Sequence, residues 1–181
     1  MHVPTSFGSE KSVLAVQGLG GLGHLAIQYA NKMGYHVVAL STSSSKEKFA
    51  RDLGAADFIT ADEGHASTLQ KKFGGAALIV STAPNPAAMG ELQAGLEPLG
   101  KLLLLSPAGE VKVDSVGLVV KGQTVCGWPS GHARDSEEAL EFAEKEGVKC
   151  LVQTWKLGEA NEAFEAMTGG KVRFRAVLVV E

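Results

Sequence analysis

The run Val13-Leu14-Ala15-Val16-Gln17, then Gly18-Leu19-Gly20-Gly21-Leu22-Gly23, then His24-Leu25-Ala26-Ile27-Gln28-Tyr29-Ala30 constrains this chain more than any other feature, because it reads as strand, glycine-rich turn and helix in that order. Gly18 permits a sharp reversal after a buried strand, Gly20 leaves the backbone open to a pyrophosphate, and Gly23 lets helix and strand pack closely. The first amides of the helix lack intrahelical acceptors and sit at the positive end of its dipole, which favours an anion there. Glycine spacings of this kind are common in loops. Here the spacing stands between the two elements the mechanism requires, so the turn reads as a dinucleotide-phosphate cradle formed by Gly18, Gly20, Gly21, Leu22 and Gly23. An ordinary tight turn between strand and helix is the plainer alternative.

The rest of the chain supports a buried parallel sheet. Of 181 residues, 45% are hydrophobic and 20% charged, a core-forming balance suited to one sizeable domain. Short apolar runs at His36 to Leu40, Asp57 to Thr60, Ala76 to Val80 and Lys101 to Leu105 read as strands. Between them Lys46 to Leu53, His65 to Lys72 and Pro86 to Leu96 read as helices. The predicted first helix, Leu22 to Met33, carries an apolar stripe of Leu22, Leu25, Ala26, Tyr29, Ala30 and Met33. The expected fold class is therefore α/β, a doubly wound parallel sheet, over residues 1–148. Beyond Lys101 to Leu105, Val116 to Val120 and Thr124 to Gly127 read as further strands, and Arg134 to Glu146 as a helix with Asp135 and Glu138 at capping-box spacing. Residues 149–181 read as a short β-α-β tail: strand Lys149 to Gln153, helix Glu159 to Met167, strand Phe174 to Val180.

Several function classes are disfavoured. A net charge of −3 with scattered Lys and Arg offers no face for a nucleic-acid backbone. No apolar stretch approaches the roughly 20 residues that span a bilayer, and Met1-His2-Val3-Pro4 does not open a secretory signal, so a cytoplasmic location is expected. Cys126 and Cys150 lack closely spaced Cys or His partners, so no metal site and no disulfide framework is expected.

The nucleotide is read from the end of the second strand. NAD-binding units place an acid there to accept from the adenosine ribose hydroxyls. Here the sequence is Leu40-Ser41-Thr42-Ser43-Ser44-Ser45-Lys46, with no acid. Ser41, Thr42, Ser43 and Lys46 can instead donate to a 2'-phosphate, which favours NADP(H). Ser44 and Glu47 also have capping-box spacing, and that plainer explanation keeps NAD(H) open.

The glycine turn with His24, the segment Phe49-Ala50-Arg51-Asp52-Leu53-Gly54-Ala55, and the closing Asn161-Glu162-Ala163-Phe164-Glu165-Ala166-Met167 and Gly170-Lys171-Val172-Arg173-Phe174-Arg175-Ala176-Val177-Leu178 resemble the cofactor domain and C-terminal tail of zinc-type medium-chain alcohol dehydrogenases. The texture is that of the cinnamyl-alcohol-dehydrogenase-like branch. The resemblance spans nearly the whole chain. It implies a Rossmann fold, with Ser81, Thr82 and Ala83 along the nicotinamide ribose, Ser106 at the nicotinamide ring, and Arg175 reaching back to the pyrophosphate. It also implies a homodimer through an edge strand at Val116 to Val120.

The resemblance implies zinc only for the full-length family. The GroES-like domain that supplies its Cys, His-Glu and Cys ligands has no counterpart expected in this sequence, and no catalytic residue is assigned here. His24, His65 and His132 do not replace those ligands. Three readings stand: the coenzyme half of an NADP(H)-dependent alcohol dehydrogenase or aldehyde reductase, a non-catalytic NAD(P)(H)-binding module, and the zinc-free quinone or enoyl reductase branch. The turn Gly-Leu-Gly-Gly-Leu-Gly-His fits the last of these less well. The expected apolar surface on Lys149 to Gln153 and Glu159 to Met167 is that of a face normally covered by another domain.

Overall fold

The apolar run Ala76–Ser81, buried at every position, is a strand covered on both faces, as a parallel sheet between helix layers requires. The computed structural model, which describes residues 12–180, has six parallel strands in one sheet: β1 (Val13–Gln17), β2 (His36–Ser41), β3 (Asp57–Thr60), β4 (Ala76–Ser81), β5 (Leu96–Leu104) and β6 (Thr124–Gly127). Their order is β3-β2-β1-β4-β5-β6, so the strands are laid down outward in one direction from β1 to β3 and in the opposite direction from β4 to β6, with β1 and β4 adjacent and parallel. That order is the doubly wound Rossmann arrangement, with its ligand crevice at the carboxyl ends of β1 and β4.

Alternate residues of each strand feed different layers. Leu14, Val16, Val37, Ala39, Leu78 and Val80 pack with Ile27 and Ala30 of α1 (Gly23–Lys32) and Ala50 of α2 (Glu47–Asp52). Ala15, Val38, Leu40 and Ile79 pack with Leu69 of α3 (His65–Phe73) and Leu92 of α4 (Pro86–Leu92). The remaining helix ahead of β6 is α5 (Ser115–Lys121); after it come α6 (Ala133–Glu146), β7 (Val152–Lys156), α7 (Ala160–Thr168) and β8 (Arg175–Val179). Strands β7 and β8 form a separate parallel pair, and Phe174 joins it to the core layer beside α1.

Besides an earlier start to β5, at Leu96 rather than Lys101, which follows a helix α4 that stops at Leu92 and a 3-10 turn over Gln93–Gly95, four expectations change. Val116 to Val120 is not a strand but lies in α5. Its β-branched run favours a strand, yet the Asp114 side chain accepts from the amides of Val116 and Gly117 at 3.0 Å each. Gln93 holds both the amide and the carbonyl of Asp114, at 2.7 and 2.8 Å, and Gly122 ends the helix in the left-handed region. Caps at both ends and a tertiary clamp outweigh propensity. The sheet edge is therefore β6, and the route to a dimer through a Val116–Val120 strand falls away.

Second, only part of the expected stripe on α1 meets the sheet. Ala26 and Ala30 pack on the sheet layer together with Ile27, whereas Leu22 and Met33 are exposed and His24 is buried against the tail. Tyr29 belongs to none of these sets. Its ring stacks on Phe142 of α6 at 5.5 Å and its hydroxyl donates to the Ala139 carbonyl at 2.8 Å.

Third, the tail strand begins at Val152 rather than Lys149, because residues 149–151 are held along α1 instead. Fourth, the capping contact of α6 comes a turn earlier than Asp135 with Glu138: Asp135 accepts from the His132 amide at 2.8 Å, and Glu138 pairs with Arg134 at 2.9 Å.

Candidate functional site

The glycine turn is shaped by what a side chain would strike. A Cβ on Gly23 would drive into the Gly18 carbonyl, and one on Gly18, at φ +93°, would lie 2.8 Å from the Thr82 hydroxyl. These two glycines are needed for the turn itself. A Cβ on Gly20, by contrast, would meet nothing within 4 Å. Its backbone faces open space at the start of α1, where unpaired amides collect. This is the cradle a pyrophosphate requires, and the group fits it.

The switch point is closed by a polar ladder that the sequence did not announce. Gln17, buried at the end of β1, accepts the Ser81 hydroxyl at 2.8 Å, and the Thr82 hydroxyl reaches the carbonyls of Gln17 and Gly18 at 3.0 Å each. Ser106 donates to the Thr82 carbonyl at 2.7 Å. Ser81 is fully buried with its hydroxyl engaged, so it fastens β4 to β1 rather than presenting a donor to the cleft. Ala83 and Ser106 lie at the carboxyl ends of β4 and β5, on the rim. The only available signal for Gln17 was its place beside Gly18, since an amide among apolar strand residues needs a buried partner.

Between the turn and the tail lies a cleft of about 530 Å³ lined by Leu19, Gly20 and Gly21, by Lys46, and by Arg173 and Arg175 among others. Lys46 donates to the Leu19 carbonyl at 3.1 Å. Burial, and then the Arg173 guanidinium, push its ammonium below the ordinary lysine value. The Arg175 guanidinium covers Gly21, since a Cβ there would lie 2.9 Å from Nη1. Among the described residues none of these three cations is paired with a carboxylate. Clustered cations without counter-charge favour an anionic occupant. Arg173 was not singled out from sequence; its signal was alternation with Arg175 on the approach to β8.

Ser41, Thr42 and Ser43 lead from the end of β2 into a single 3-10 turn at Ser44–Lys46. Neither that turn nor α2 has a side-chain cap, and Glu47 bonds Arg51 instead of Ser44. Ser43 and Ser45 share a hydroxyl contact at 2.9 Å. The capping explanation for the serines therefore lacks its hydrogen bond. His65 meets the Ser41 carbonyl at 3.0 Å. Among the described residues no group of three or more His, Cys, Asp or Glu gathers, and Cys126 and Cys150 are free. These residues do not fit a zinc ion, and no step is assigned to one.

A six-stranded doubly wound sheet with an open glycine cradle at its switch point defines a coenzyme-binding α/β unit of the dehydrogenase kind. The family model described as zinc-binding dehydrogenase matches residues 21–145. The chain belongs to that family. An alcohol dehydrogenase of Penicillium expansum is 55% identical over 169 residues, which cover 93% of this chain and 49% of the relative. A cinnamyl alcohol dehydrogenase from Sorghum bicolor superposes with TM-score 0.80 at 27% identity, covering 93% of this chain and 48% of that one. An acetophenone reductase from Geotrichum candidum, solved in complex with NAD, gives TM-score 0.78 at 25% identity over 93% of this chain and 48% of that one. The chain thus spans about half the length of these relatives and corresponds to their coenzyme-binding part. No helix among the described residues is long and apolar enough to cross a membrane.

Proposed function

We propose that this chain holds NADP(H) for an alcohol dehydrogenase or aldehyde reductase, with residues 1–148 as the coenzyme domain and 149–181 as a tail. The observation that carries the reading is the acid-free cleft in which Lys46, Arg173 and Arg175 converge on the glycine turn. The coenzyme supplies the hydride that passes between the nicotinamide and an alcohol or aldehyde carbon. Gly20, Gly21 and the start of α1 hold the pyrophosphate from one side and Arg175 from the other. Ser41, Thr42, Ser43 and Lys46 donate to the 2'-phosphate, with Arg173 adding positive potential. Ala83 and Ser106 border the nicotinamide end, and Thr82 fixes Gly18 beneath it. In this reading the exposed Phe164 belongs to a face that the rest of a longer protein covers, while Val152 and Met167 line the coenzyme cleft. Self-association would run along the edge strand β6, and free cysteines suit a cytoplasmic setting.

The acetophenone reductase carries NAD, so the choice of dinucleotide is the point to test. In Ser41→Asp the new carboxylate repels a 2'-phosphate, and NADPH affinity should fall about tenfold or more while NADH affinity holds or improves. Titration of both coenzymes by fluorescence measures this. Unchanged NADPH affinity contradicts the assignment of the serine loop.

A further inference from the structure

His24 is completely buried, and both ring nitrogens are committed. Nε2 faces the Leu151 amide at 3.1 Å; only an unprotonated nitrogen can accept that N–H, so the proton sits on Nδ1. From there it is donated to the Gly20 carbonyl at 3.1 Å. That carbonyl also takes the His24 amide at 3.1 Å, which pins it toward the helix and away from the cleft.

The contacts continue into the tail. The Leu151 carbonyl accepts the amides of Phe174 and Arg175 at 3.0 and 3.1 Å. The Phe174 ring stacks on the imidazole, centroids 4.8 Å apart and planes 18° from parallel. Arg175 then places its guanidinium over Gly21. The path leaves the phosphate turn at Gly20 and returns to it at Gly21.

One helical turn along, Gln28 repeats the pattern. Its Oε1 accepts the Lys149 amide at 3.0 Å and its Nε2 donates to the Lys149 carbonyl at 2.9 Å. Residues four apart share one helix face, and here that face holds residues 149–151 as a neighbouring strand would. Helix α1 thus presents one face to the sheet, another to α6 and a third to the tail.

We propose that His24 and Gln28 are positioning residues for dinucleotide binding: they latch residues 149–151 onto α1 and so hold Arg175 over Gly21, where it meets the pyrophosphate. The inference rests on the coenzyme reading above. Arg175 is exposed and stands on a two-stranded pair outside the main sheet; without the latch, binding would have to order that strip each time. Preorganising it removes that cost from the binding free energy.

A double-mutant cycle on the full chain tests this, with NADPH as the probe and affinity as the readout. His24→Phe keeps the stack on Phe174 and loses both hydrogen bonds; Arg175→Gln removes the charge directly. Each single variant should weaken NADPH about tenfold. The pair together should be no weaker than Arg175→Gln alone, because His24 acts through Arg175. Fully additive losses, or wild-type affinity in a folded His24→Phe, overturn the proposal. If His24→Phe does not fold, Gln28→Leu takes its place with the same expectation. Amide hydrogen exchange without coenzyme supplies an independent readout: the amides of Leu151, Phe174 and Arg175 should exchange faster in the variant, and unchanged protection refutes the latch. A wild-type chain that binds neither NADPH nor NADH, with these amides protected, would instead remove the coenzyme reading and with it the latch's role in binding.

Discussion

The turn between β1 and α1 and the strip β7–β8 line the same cleft but are secured in opposite ways. The turn is built from neighbours in sequence, with Ile27 of its helix only 1% exposed and its backbone fixed through Gln17, Thr82 and His24. The strip comes from the far end of the chain and leaves Phe164 of its covering helix 62% exposed. Its attachment to the core runs through Leu151, Phe174 and the polar contacts of α1. The difference separates two tasks. In the proposed reading the turn supplies shape and the helix end, whereas the strip supplies charge, so one would set whether a pyrophosphate fits and the other how strongly it is held.

The largest break in this comparison should come from the buried side. Ile27→Ala opens a cavity beneath α1 and should cost about 2–5 kcal/mol of unfolding free energy, read from urea denaturation. A loss below about 1 kcal/mol would mean α1 is less firmly seated than its burial implies. A smaller, acid-dependent effect belongs to the junction between the regions. Burial, and to a lesser degree the Arg175 guanidinium, hold His24 below its ordinary value of 6.5. The unfolded chain takes up that proton first, so the stability gained from neutral His24 is complete above about pH 6.5. It is lost as pH falls from there through the lower value of the folded chain. Denaturation at a series of pH values should show this slope in the wild type and a flatter one in His24→Phe; equal slopes would remove His24 from the account. The smallest effect is expected on the strip, where Phe164→Ser should change stability by no more than about 0.5 kcal/mol. A greater loss would show that Phe164 packs in this chain despite its exposure.

The same contrast governs what could be read from the residues alone. The strands, their alternation with helices and the glycine cradle were legible because each rests on local periodicity and backbone sterics. Asp57–Thr60 and Thr124–Gly127 coincide with the observed strands. Val116 to Val120 misled because β propensity was weighed without the Asp114 cap before it and with Gly122 taken as a corner between strands, whereas these two residues cap a helix. The stripe on α1 was misassigned in part for a related reason. Hydropathy ranks His24 and Gln28 as polar, but helix faces are chosen by partners, and here the partners are 121 and 127 residues away. Gln17 and Arg173 stayed hidden because their significance lies in contacts between distant segments.

The central claim is that the open backbone at Gly20 receives a diphosphate. Gly20→Val tests it most directly, because the space beside this residue is empty to 4 Å in the protein alone. The account predicts that the wild-type chain binds NADPH while Gly20→Val keeps wild-type thermal stability and loses detectable binding in the same titration. A stable Gly20→Val chain that binds NADPH as tightly as the wild type would contradict it.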